Sequence, residues 1–174
     1  PCSAAGMRAV GWLLVGLTLA GCGRQFAPPL EPPPTRADIW RELQPLASRY
    51  RIDPGFLYGL VAAESNFNPR ARNGDACGLF QLKPGAWRAV SKAPFEPTVW
   101  DWRANLAAGV DYVAYSRAYL HRHGSFSYPL LLAAFHHGVD YVAQRDFNVD
   151  RIPVPPGPIY RQMWEGNLTP VPPP

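Results

Sequence analysis

A chain of 174 residues is long enough for one well-packed domain and too short for two. With 47% hydrophobic and 17% charged residues it can bury a core, so disorder is confined to local segments. The formal net charge of +4 is modest and spread along the chain, and there is no basic run interleaved with aromatics, which speaks against nucleic acid as a partner.

In chain order, the first segment reads as a targeting signal. Met7 and Arg8 make a short positive start before an apolar run from Ala9 to Ala20, too short to span a bilayer comfortably, with Met7 as the true start and residues 1–6 upstream of it. The run ends in Leu19, Ala20, Gly21 and Cys22, which resembles the lipobox of bacterial lipoproteins. That likeness implies cleavage before Cys22, acylation of its thiol and a lipid anchor on the periplasmic side of the envelope, at the outer membrane because Gly23 does not look like an inner-membrane retention signal. An ordinary signal peptide or an uncleaved anchor is the other reading. Of the three cysteines, Cys2 lies upstream, Cys22 would carry lipid and Cys77 has no partner, so packing rather than disulfides must stabilise the domain.

The 21 prolines cluster in residues 23–36, read as a linker, and again from Pro153 to the end, where residues 168–174 read as a tail. Between them, over 37–167, apolar positions recur at intervals of three and four and no alternating stretch stands out, which predicts a mostly helical domain. A first helix runs from Ala37 to Tyr50, with Pro45 marking a kink or a later start. A second opens on Asp53 and Pro54, a capping residue followed by the residue best tolerated in the first turn, and ends near Asn66. A polar, glycine-containing loop follows from Arg70 to Gly78. The longest helix spans Asp101 to Leu120 and should be central. A fourth, apolar nearly all round, runs from Tyr128 to about Val142, and a short helix near Ile159–Trp164 follows an extended stretch.

Glu64 is the residue out of place. It follows Leu57, Leu60 and Val61 on the stripe that should face the interior, where a leucine would be expected. Carboxylates are seldom buried without a partner, and a carboxyl desolvated in an apolar cleft is suited to hold a proton and donate it as a general acid; a Glu that caps or salt-bridges at a helix end is the alternative.

The run Glu64, Ser65, Asn66, Phe67, Asn68, Pro69, Arg70, Ala71 resembles the signature of the soluble lytic transglycosylase family, a Glu-Ser pair followed by Phe-x-Pro-x-Ala. Gly78, Leu79, Phe80, Gln81 is similar to that family's Gly-Leu-Met-Gln stretch, and Asn105, Gly109 and Tyr112 to its Asn-x-x-x-Gly-x-x-Tyr helix. Ala134, Phe135, His136, His137, Gly138 stands at the place of Ala-Tyr-Asn-x-Gly, with Phe135 lacking the hydroxyl and His136 replacing the amide; Tyr160 stands where a tyrosine closes the domain. Arg72 replaces a frequent serine and Asp75 a glycine, so that loop should run differently.

The resemblance implies a lysozyme-like helical fold with a substrate groove between two lobes, a peptidoglycan glycan strand as substrate, no cofactor, and Glu64 as the catalytic carboxylate. Glu64 would protonate the glycosidic oxygen and return as base to a muramoyl C6 hydroxyl, leaving a 1,6-anhydromuramoyl end. Ser65 would orient Glu64 or cap a backbone group. Gln81 would meet sugar hydroxyls or N-acetyl groups, Phe80 would be an apolar contact against a sugar face or only core, Phe135 and His136 would line the site, and Tyr160 would place its phenol near Glu64. Asn105 and Tyr112 share a helix face and can reach one site, or else Tyr112 packs and Asn105 ties down a loop. Asp75 is a polar turn residue or the second carboxylate of a hydrolytic lysozyme. A third possibility is a wall-binding lipoprotein that keeps the fold and has lost turnover, and a fourth is a domain that clears local wall inside an envelope-spanning machine, with which the small size is compatible. Adjacent His136 and His137 diverge on a helix and His121 and His123 sit at a helix end, so no metal site is read, and Cys77 reads as a packed residue. A monomer is expected.

Overall fold

The computed structural model describes residues 32–174; the targeting segment, Cys22 and most of the linker lie outside them. Among the described residues are eight α-helices: α1 (Arg36–Tyr50), α2 (Pro54–Ser65), α3 (Pro84–Val90), α4 (Phe95–Thr98), α5 (Trp102–Arg122), α6 (Tyr128–His137), α7 (Val139–Ala143) and α8 (Pro158–Trp164). A two-residue antiparallel pair, β1 (Arg72–Asn73) and β2 (Ala76–Cys77), sits between α2 and α3.

Local chemistry explains the helix starts. Thr35 and Asp38 form a reciprocal capping box on α1, and Asp53 accepts a hydrogen bond from Gly55 N at 2.7 Å ahead of Pro54 in α2. Asp101 caps α5 through Arg103 N and Ala104 N, and Ser127 caps α6 through Leu130 N. Pro45 neither ends nor delays α1, because it lies on the exposed face, where the carbonyl it leaves unpaired meets water.

The long α5 is the central element: α1, α3 and α6 all pack on it. The core runs through Leu43, Leu60, Val61, Leu106, Val110, Val113, Leu132 and Met163, all fully buried. Helix α2 is not the one-sided helix its stripe predicts, since every residue from Gly55 to Ala62 is buried. α1 and α8 pack against it, and the end of the chain crosses it.

Three expectations need correction. The fourth predicted helix does not continue to Val142: Gly138 adopts φ +96°, outside helical geometry, so α6 stops at His137 and α7 starts afresh. The polar loop contains the β1–β2 hairpin, turned at Gly74 with φ +62°, and α3 and α4 beyond it have no forecast counterpart. The stretch read as a tail is only partly free: Leu168, Pro170 and Val171 are half-buried, whereas Pro172, Pro173 and Pro174 are exposed.

Gly109 lets the loop between β2 and α3 approach α5. A Cβ there would lie 2.1 Å from Phe80 Cδ2 and 2.3 Å from Cγ, inside a ring that is itself buried. Gly109→Ala is therefore expected to destabilise the domain by about 3 kcal/mol through overpacking, despite alanine's better helix propensity. Urea unfolding should show a lowered midpoint at unchanged m-value.

His137 adds a pH dependence. Its Nε2 is buried without a hydrogen-bond partner, and burial first, then the neighbouring His136, hold its pKa below the ordinary value of 6.5. The unfolded chain then takes up a proton at higher pH than the folded one, so this contribution is intact above pH 6.5 and is lost as pH falls toward the folded value. Urea midpoints measured from pH 7.5 to 5 should fall more steeply for the wild type than for His137→Gln.

Candidate active site

Glu64 sits in the last turn of α2, where the chain leaves the helix abruptly. Asn66 caps it in the left-handed region at φ +50°, and Phe67 follows at φ +63°. For a bulky residue that conformation costs of order 1 kcal/mol or more. Phe67 is held there by burial, by the ring of Tyr58 at 4.6 Å and by the Arg36 guanidinium at 4.7 Å. Residues 65–72, which follow the carboxylate, do not line the groove.

The carboxylate has two partners. Tyr160, the third residue of α8, is fully buried and donates its hydroxyl to Glu64 Oε1. His136 Nδ1, from α6, stands 3.5 Å from the same oxygen. The His136 and Tyr160 rings meet edge to face at 5.4 Å, so α2, α6 and α8 converge on one atom. Burial first, then the Glu64 charge and the hydrogen bond to it, push the Tyr160 phenol well above its usual value of 10.0, so it remains a donor. The Glu64 side chain keeps 12% of its surface open, at the floor of a groove of about 740 Å³.

One wall of the groove comes from the hairpin and α3, through Asn73, Asp75, Gln81, Lys83 and Ala86, and the other from Phe135 to Tyr141 of α6 and α7. Tyr112 and Tyr115 of α5 line it between them. Tyr112 stacks on Tyr115 at 5.9 Å and leans on Phe135 at 5.8 Å; burial first, then Tyr115 and Asp140, raise its pKa, so it too keeps its proton. Phe80 is almost wholly buried, packing edge to face on Phe135 at 5.8 Å. Phe80 is thus core behind Phe135, and Tyr112, Tyr115 and Phe135 give the groove an aromatic lining suited to the apolar side of a sugar ring.

Of the predicted site residues, Asn105 and Ser65 do not line the groove, and Gln81 both lines it and helps to hold its loop. Asn105 is fully buried: its amide nitrogen donates to Cys77 O and Val99 O, both at 3.1 Å, and its oxygen accepts from Phe80 N at 2.9 Å. Sequence spacing left it as substrate contact or loop tie, and the geometry is that of the tie. Gly78, at φ +78°, is the glycine this requires, since a Cβ there would lie 2.2 Å from the Asn105 nitrogen. Gln81, at φ +47°, spends its amide nitrogen on Ala71 O and Gly78 O at 3.0 and 2.9 Å, leaving its carbonyl oxygen as what it offers to the groove. Ser65 donates back to Val61 O at 3.2 Å, within its own helix, and does not line the groove.

Asp75 is exposed and lines the same groove as Glu64. Arg72, in place of the frequent serine, pairs with Glu96 at 2.7 Å and lies over Trp100, drawing the hairpin toward α4. Burial pushes the Cys77 thiol above its ordinary value of 9.0, which keeps it protonated and unreactive. Lys83, Tyr115, Asp140 and Tyr141 also line the groove, unforeseen from the sequence. Tyr115 was within reach of spacing, one turn beyond Tyr112 on the same helix face; Asp140 and Tyr141 depend on the break at Gly138. A second depression on α5, of about 740 Å³, is shallow, and its one carboxylate, Asp111, is engaged by the Tyr50 hydroxyl at 2.7 Å. Among the described residues, no group of three or more His, Cys, Asp or Glu is placed to hold a metal ion.

The chain resembles known proteins. The family described as Transglycosylase SLT domain is matched over residues 43–146. A curated relative, the Transglycosylase of Enterobacteria phage PRD1, is 32% identical over 102 residues, which are 58% of this chain and 35% of that protein. The chain thus spans about a third of that relative's length. Among solved structures, an inactive Glu-to-Gln mutant of the lytic transglycosylase Slt from Pseudomonas aeruginosa superposes with a TM-score of 0.50 at 26% identity, covering 65% of this chain and 18% of that one. A mostly helical, lysozyme-like fold, the matched family and a carboxylate at the floor of the groove agree: this chain belongs to the transglycosylase SLT domain family.

Proposed function

We propose that this protein is a peptidoglycan lytic transglycosylase that cleaves the β-1,4 bond between N-acetylmuramic acid and N-acetylglucosamine, with Glu64 as both acid and base. The observation that carries the reading is the seat of Glu64: one oxygen is held by a buried Tyr160 hydroxyl beside His136, and the side chain lines a groove together with Tyr112, Tyr115 and Phe135. Protonated Glu64 gives its proton to the glycosidic oxygen as the C1–O bond breaks. The acetamido group of the substrate steadies the developing cation. The ionised carboxylate then takes the proton of the muramoyl C6 hydroxyl as that oxygen closes on C1, so the ring forms without consuming water and Glu64 regains its proton. No second carboxylate is needed for this sequence, unlike hydrolysis by most glycosidases. Tyr160, neutral throughout, keeps Glu64 aimed in both steps.

Asp75 supports a second reading, because it lines the same groove and is exposed to water that it could activate; that arrangement would give hydrolysis with inversion. The two differ in their products. Mass spectrometry of sacculi digested by protein lacking residues 1–22 should find 1,6-anhydromuramoyl ends. Glu64→Gln should lower their release by roughly 10³-fold, and Asp75→Asn by less than about threefold. Reducing muramic ends, abolished by Asp75→Asn, would establish the hydrolase instead.

We also propose that the mature protein begins at Cys22 and is held on the periplasmic face of the outer membrane by lipid on that thiol, supported by the apolar run and by the small residues before it. In a bacterial host, wild type is expected in the outer-membrane fraction with the mass of an acylated cysteine. Cys22→Ser should lose the lipid mass and leave that fraction. Retention of the variant there would sink the lipid-anchor assignment.

A further inference from the structure

Helix α8 and the chain after it lie beyond the matched residues 43–146, yet they carry the closest partner of Glu64. α8 has seven residues, no side-chain cap at its N-terminus, and a proline-containing extended approach from Ile152 to Gly157, so little within it fixes its position. Its position comes from packing. Tyr160 faces Glu64, and one turn later Met163 meets α2 at Gly59, where a Cβ would lie 3.5 Å from its sulfur.

The chain then reverses. Gly166 takes φ +105°, and its N–H donates to Met163 O at 3.2 Å; the next N–H, of Asn167, donates to Gln162 O at 2.9 Å. This turn lays Leu168–Val171 across α2. Thr169 fills the notch at Gly55, where a Cβ would come within 2.8 Å of its methyl, and Pro170 fills the notch at Gly59, 3.3 Å from a Cβ position. At about 100° per residue, these two glycines lie on the side of α2 away from Glu64. Leu168 and Val171 are half-buried on either side of the pair.

We propose that Leu168–Val171 is a brace that clamps α2 to α8 and thereby holds Glu64 at the Tyr160 hydroxyl. Thr169 and Pro170 are positioning residues: they touch neither substrate nor carboxylate and act through the Glu64–Tyr160 contact. The inference rests on the reading of Glu64 as the acid and base, and it makes the proline-containing end of the chain part of the catalytic apparatus.

Because the brace acts through one contact, its loss and the loss of that contact should not add. The test compares four proteins on soluble glycan strands: the full chain, the chain ending at Asn167, Tyr160→Phe, and the two changes combined. Ending the chain at Asn167 should lower kcat about tenfold, as a modest displacement of a catalytic group does, with KM changed by less than about twofold. On the Tyr160→Phe background the same truncation should cost less than about twofold. The brace is overturned if a truncated chain with undiminished helical circular dichroism keeps kcat within about twofold of wild type, or if its loss recurs in full on the Tyr160→Phe background. Should the shortened chain not fold, full-length Thr169→Gly/Pro170→Gly is held to the same two criteria. If the full chain forms anhydro products no faster than Glu64→Gln, the reading of Glu64 falls and the brace with it; an active full chain that ignores the truncation removes the brace alone.

Discussion

The buried amide of Asn105 is the interaction on which the groove depends. One side chain on α5 gives the carbonyl of Val99 and the N–H of Phe80 their partner and adds a second donor to the carbonyl of Cys77, which also accepts from Leu82 N at 3.0 Å. Backbone groups left unpaired in an interior cost about 1–3 kcal/mol each, so a loop can be buried against a helix only if something plays this part. An amide can, because it donates twice and accepts. The close approach it needs explains Gly78 beneath its nitrogen and Gly109 beneath the Phe80 ring. One wall of the groove follows from these three residues.

The carboxylate of Glu64 depends on a different device. Glu64 ends a helix that is buried on all sides, and a carboxylate there must find donors. Tyr160 supplies one from α8 and His136 stands by from α6, so three helices meet at a single oxygen. Residues 65–72, which include the strained turn at Asn66 and Phe67, do not line the groove, and the packing of Phe67 against Tyr58 and Arg36 sustains that turn. The carboxylate thus has Tyr160 as its close partner, His136 beside it, and a place in the lining of the groove.

Such a site needs no disulfide to stay rigid. Cys77, the one cysteine among the described residues, is a buried thiol with its sulfur 3.7 Å from Asp75 O. Rigidity comes from a core continuous from Ile39 to Met163, from capped helices, and from a chain end that folds back over α2. Surface pairs such as Arg72–Glu96 contribute little stability, but they set the path of an exposed hairpin that carries Asp75 toward the groove.

Periodicity, caps and motif spacing determined much of this protein by themselves. The start of α2 follows from Asp53 and Pro54, the approximate extents of α1 and α5 follow from apolar residues at helical intervals, and Glu64 declared itself as a carboxyl on an apolar stripe, because these signals are local. What the sequence left open is what depends on partners distant along the chain. Spacing could not decide whether Asn105 met a sugar or a loop, since that turns on carbonyls 28 and 6 residues away. Nor could it show that Gln81 spends its nitrogen on Ala71 and Gly78, or that a proline-containing end would seat itself on Gly55 and Gly59. Local sequence carries propensity and pattern; only the tertiary structure brings a donor to an acceptor, and in a buried site that pairing decides which residues hold the groove and which are left to act in it.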